Sequence, residues 1–130
     1  MAISKTVGLE ELCKSIICKD KNVRSAVFID QKGNILHKVV HHKFVQPSLE
    51  RWNDTHFMEC IFEISMGGRA DELYGPIRYH HSEKDNFIML SFPFYENVVL
   101  VTCTKKISPI AFATKVSHLI NKIIGKTFQK

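Results

Sequence analysis

Seven histidines, four cysteines and a pair of glutamates one helical turn apart are the residues of this 130-residue chain that could carry chemistry. The histidines include two adjacent pairs, His41/His42 and His80/His81, and imidazole both ligates metals and titrates near neutral pH. Adjacent residues of a strand point to opposite faces, so each pair can offer a metal one ring per face. That argues against a zinc site within one chain. Across a two-fold axis, however, His80 or His81 from two copies could approach each other and form a zinc site or a pH-sensitive junction. Cys13, Cys18, Cys60 and Cys103 contain no CxxC pair and fall inside periodic segments, so they read as reduced, small apolar side chains rather than a disulfide framework. Cys18 lies on the polar side of the first helix, with no basic helix terminus or fixed histidine to lower its pKa. Glu59 and Glu63 read as a solvated rim, and Asp30 as a turn former. No P-loop, GxGxxG, HExxH or GxSxG occurs, and Gly67-Gly68 reads as a helix stop rather than a phosphate cradle. The expectation is a protein that is not an enzyme, with no catalytic residues, no resident metal and no cofactor.

The elements that must position these residues follow from apolar spacing. Leu9, Leu12, Cys13, Ile16 and Ile17 make one helical stripe, with Glu11, Lys14 and Cys18 on the other side and "KDKN" as its end. Val23 to Asp30 is dense in apolar residues, as befits a central strand covered on both faces. "DQKGN" is a turn in which Gly33 can take a positive φ, and Asn34 to Phe44 is a second, more polar strand nearer an edge. Pro47 and Ser48 open a helix that runs to about Met66. Its one side gathers Leu49, Trp52, Asn53, His56, Phe57, Cys60 and Ile64, and should cover a sheet. Its other side repeats Met58, Phe62 and Met66 beside Arg51 and Thr55, and a helix with two apolar stripes needs two partners. After Pro76 come three strands, a short polar "IRYHH" and two apolar ones, "NFIMLSFP" and "NVVLVTCT", joined by "SEKDN" and "FYEN". Ser108 caps a last helix from Pro109, with Phe112, Ala113, Val116, Leu119, Ile120, Ile123 and Ile124 on one face and Thr114, Lys115, His118, Asn121 and Lys122 opposite.

The order is helix, strand, strand, helix, three strands, helix, an α/β (α+β) pattern over one domain, 1–130. In this order the chain resembles the roadblock/LC7 family, and more loosely longin and profilin-like folds; small uncharacterised archaeal proteins of this type also look similar. The resemblance runs from about Val7 to Ile124. It is carried by "VRSAVFIDQKGNILHKVV", the helix after Ser48, "FIMLSFPFYENVVLVTCTKK" and "SPIAFATKVSHLINKI". It implies a five-stranded antiparallel sheet with the middle helix on one face and the two terminal helices on the other. It also implies a homodimer in which middle helices lie against each other and short third strands join, forming a non-catalytic scaffold that regulates or adapts a small GTPase, a motor component or another signalling partner. The dimer interface would then hold Arg51, Thr55, Met58, Phe62, Met66, Ile77 and Tyr79, with bulky side chains where such helices often carry small ones.

Composition bounds the rest. The net charge of +5 is spread over dispersed lysines, which reads as a basic solvated surface; without an aromatic stacking platform on the last helix, nucleic acid is not the expected partner. The N-terminal stretch carries Glu10 and Glu11 where a signal peptide would be apolar, and no run approaches the length of a membrane span, so a cytoplasmic protein is expected. An alternative reading is a PAS- or GAF-like small-ligand sensor, which needs a cavity over its sheet; here Phe28, Trp52, Phe57, Phe87, Phe92 and Phe112 suffice to fill one.

Overall fold

The structure, a computed structural model, describes residues 2–41 and 77–128, with side chains over 8–41 and 77–123. Its elements are α1 (Ala2–Lys19), β1 (Val23–Ile29), β2 (Ile35–Val40), β3 (His80–Glu83), β4 (Ile88–Phe94), β5 (Asn97–Cys103) and α2 (Pro109–Phe128). The strands form one antiparallel sheet in the order β2-β1-β5-β4-β3, an α+β arrangement in which β1, β5 and β4 are interior and β2 and β3 are the edges. The expected helix between Ser48 and Met66 lies outside the described residues.

Period-two alternation decides which side chain goes to which face. Ala26, Phe28, Leu90, Phe92, Val99 and Val101 line one face, and Leu12, Cys13 and Ile16 of α1 pack on it with Phe112, Val116 and Ile120 of α2. Both terminal helices therefore share one face, as the resemblance implies. The opposite face buries Val27, Ile29, Met89, Val98 and Leu100. Burial on both faces explains why β1, β4 and β5 are apolar almost throughout, whereas no residue of the edge β2 is buried.

Two boundaries differ from those expected. α1 begins at Ala2, well before the stripe at Leu9, because nothing in "AISKTV" stops a helix and propagation needs no apolar face. β3 begins at His80, so Ile77, Arg78 and Tyr79 precede the strand, while Ser82 and Glu83, expected in the loop, pair with Met89 and Ile88. Short polar edge strands bury too little to fix their ends from pattern alone.

The turns follow side-chain chemistry. The Asp20 carboxylate accepts the Asn22 N–H at 2.8 Å where α1 gives way to β1, and Thr104 binds the backbone carbonyl and side chain of Asn22 at 2.8 and 3.0 Å, tying the end of β5 to the start of β1. Between β1 and β2, Gly33 takes φ 86°. Asp30 Oδ1 accepts the N–H groups of Lys32 and Asn34 at 2.8 and 2.9 Å. These bonds, that of Asn34 first, hold the Asp30 carboxyl below its ordinary range. Their stabilisation is complete above the unfolded-chain pKa of about 4 and is lost as pH falls through the lower folded value. Asp30→Ala should cost about 1 kcal/mol at neutral pH, and the difference from wild type should shrink in urea titrations carried below pH 4. An unchanged difference across that range would remove the carboxylate as its cause. At the other end of the chain, the Ser108 carbonyl accepts the Phe112 N–H at 2.9 Å, which places Ser108 as the cap before Pro109.

Candidate interaction surface

The edge strand β3 is the described element nearest the expected site. The Lys84 N–H donates to the Phe87 carbonyl at 2.8 Å, closing the β3–β4 hairpin, so alternation directs the amides of Ser82 and His80 toward β4 and those of His81 and Glu83 outward. Side chains alternate as well. His81 and Glu83 share the face of Leu90 and Ile88 beneath the helices, while His80 and Ser82 share the face of Ser91 and Met89. One ring per face is what the adjacent pair was expected to give.

Tyr79, just before the strand, is half-buried. Its ring stacks on His81 at 6.2 Å and 20° and tilts against Phe92 at 6.0 Å and 30°, linking the edge to the helix-covered core. Ile77 is half-buried a little earlier in the same approach. The Glu83 carboxylate takes a hydrogen bond from Lys105 Nζ, which also donates to the Lys84 carbonyl at 2.8 Å. Lys105 holds the Glu83 carboxyl below its ordinary range and fastens the end of β3 to the turn after β5. Arg51, Thr55, Met58, Phe62 and Met66 lie outside the described residues, so the structure brings together only Ile77, Tyr79, His80 and His81 of the expected set.

The candidates for chemistry are dispersed. His41 follows β2 at the edge opposite to β3, and His42 lies outside the described residues. Among the described residues no three metal-binding side chains gather. Cys13 and Cys103 are buried free thiols whose pKa burial pushes up to about 12, the environment of packing cysteines rather than nucleophiles. Cys18 is free and exposed, as its place on the polar side of α1 requires, and Cys60 lies outside the described residues. Phe28, Phe92 and Phe112 are buried in the core, in the space a ligand cavity would need on that face, whereas Trp52 and Phe57 lie outside the described residues. No described helix is long and apolar enough to cross a membrane.

Sequence reasoning missed two features. Ser25 and Thr102 sit opposite each other on β1 and β5 with buried hydroxyls that lack hydrogen-bond partners. Their only signal was a small polar residue inside each apolar strand. Tyr95, first of the two residues linking β4 to β5, has φ 57°, a conformation in which glycine or asparagine would be anticipated.

No family model matches the chain, and no curated protein matches it. Solved structures do. A roadblock/LC7 domain from Streptomyces avermitilis superposes with a TM-score of 0.66 at 13% identity, covering 91% of this chain and 96% of that one. The gliding protein MglB from Thermus thermophilus gives 0.67 at 11% identity, over 92% of this chain and 90% of that one. An MglB with a tetrameric arrangement gives 0.63 at 15% identity, over 95% and 90%. At such identities the shared property is the path of the backbone, and with two terminal helices on one face of an antiparallel five-stranded sheet, this chain has the roadblock/LC7 fold.

Proposed function

We propose that this chain is a non-catalytic, homodimeric protein-interaction scaffold of the cytoplasm, a regulator or adaptor of a small GTPase or another signalling partner, with residues 1–130 as a single domain. The observation that carries this reading is the near end-to-end match to roadblock/LC7 and MglB structures. The tetrameric arrangement of one MglB supports self-association on this backbone. The interface is formed by Arg51, Thr55, Met58, Phe62 and Met66 of the two-striped helix with Ile77 and Tyr79, and the short outer edge of β3 pairs with its counterpart. An unpaired strand edge is a template for such addition, and a two-fold axis lets one edge satisfy the other. His80 or His81, carried on that edge, would lie at the junction.

Sedimentation velocity tests the proposal. Wild type should sediment as a dimer and Phe62→Glu as a folded monomer, since a charge desolvated in an apolar interface costs several kcal/mol, about a thousandfold in affinity. A monomeric wild type, indistinguishable from the variant, overturns it.

A further inference from the structure

The sheet has a second edge. The His41 N–H donates to the Arg24 carbonyl at 2.8 Å, and with Val39 opposite Ala26 and His37 opposite Phe28, alternation turns the amides and carbonyls of Lys38 and Val40 away from β1. Beside them Ile35 and Leu36 are 44% and 46% exposed, and Tyr95 is 48% exposed. These three, with Ile110, are the exposed large hydrophobic residues among the described ones. Ile35 pairs with Ile29, Ile29 with Val98, and Val98 lies next to the hairpin that carries Tyr95, so all three apolar side chains gather at one end of the sheet. The register shift at Phe28/Ile29 puts Ile35 on the same face as Lys38 and Val40. Charge completes the pattern. Lys38 is exposed and makes no ion pair among the described residues, while the carboxylates nearby are engaged, Asp30 in its turn and Glu10 with Lys14 at 2.9 Å.

We propose that the outer edge of β2 docks an extended segment of a partner protein that carries an acidic residue with an aliphatic one two positions away, on the same face, and adds as a sixth strand with the aliphatic side chain against Ile35 and Leu36 and the carboxylate opposite Lys38. Main-chain bonds from Lys38 and Val40 supply affinity, and the cross-strand charge pair supplies selectivity. A second copy of this chain does not fit. Antiparallel self-pairing centred on Lys38 sets the Lys38 ammonium of one copy across from that of the other, and like charges in that position repel. The surface is separate from the pairing proposed through β3 and the two-striped helix, so it stands or falls independently of the sedimentation result.

The test uses two short capped peptides, one with a glutamate flanked two positions away on each side by valine and with threonine between, and one with lysine in place of that glutamate, titrated into the isotopically labelled full chain and followed by amide NMR. The valine–glutamate peptide should shift resonances from Lys32 to His41 and bind about tenfold more tightly than its lysine counterpart, and Lys38→Glu should invert that preference. Lys38→Pro should abolish binding of both while leaving the β1 amides of Ala26 and Phe28 protected from exchange, because the donor it removes faces outward. Shifts absent, centred on β3, or equal for the two peptides overturn the proposal. So do shifts of β2 on dilution without peptide, which would assign the edge to a second copy.

Discussion

Phe28→Ala should destabilise the protein by about 4 kcal/mol and lower its Tm by about 15 °C, near the top of the range for single core truncations. Phe28 is fully buried near the end of β1, with its ring edge-on to Phe94 at 5.2 Å and 82°. The helix-covered face around it also buries Leu12, Ile16 and Phe112. Removing the ring forfeits transfer free energy and leaves a cavity, whose cost depends on how far the surroundings collapse. Here collapse is opposed from two sides. β1 is hydrogen-bonded to β2 and β5 and cannot shift alone, and α1 and α2 are fixed by their own contacts on the same face. Urea titration by far-UV circular dichroism measures the loss as a lower midpoint at unchanged m-value. A loss below 1 kcal/mol would mean that the ring is not packed as described. Phe28→Leu, which retains most of the volume, should cost well under half as much.

The same physics explains which parts of the fold were legible in the sequence. Val23 to Ile29 could be read as an interior strand because a strand buried on both faces leaves no polar register. Phe112, Val116 and Ile120 could be read as one helix face because Lys115, Asn121 and Lys122 occupy the other, and all stand where expected. Gly33 and Asp30 announced their turn through conformational freedom and a short acceptor side chain. The β3 edge was legible only as an element. Tyr79 looked like a strand residue by type, yet its position is set by contact with Phe92 and His81, neither of which is adjacent in sequence. The clamp of Lys105 on Glu83 joins residues far apart in the chain and has no local signature. Tyr95 escaped for a different reason. Its positive φ is imposed by a two-residue connection between strands whose register is fixed by Phe94 opposite Asn97, and a tyrosine there runs against local preference. Five of the seven expected interface residues, from Arg51 to Met66, fall outside the described residues and rest on periodicity and the family resemblance.

Ser25→Ala with Thr102→Val should have the opposite sign, raising stability by about 2 kcal/mol and the Tm by about 7 °C. Ser25 is fully buried and Thr102 is 3% exposed; they are cross-strand partners on the face that also buries Val27 and Leu100. Neither hydroxyl has a hydrogen-bond partner. Each therefore gave up its bonds to water on folding without recovering one, a cost of about 1–3 kcal/mol per group. Valine keeps the branched shape of threonine and its preference for strands, so Thr102→Val removes that cost with little change in packing. Ser25→Ala trades the same relief against a small void and should gain less. Because the two side chains face each other, the substitutions should not simply add, and a double-mutant cycle measures the coupling. A net gain in the double variant identifies the pair as an uncompensated polar burial that the hydrophobic surroundings outweigh. A net loss would place a bridging water or a polar side chain between the hydroxyls, making this spot of the second face a recognition point for whatever lies against it.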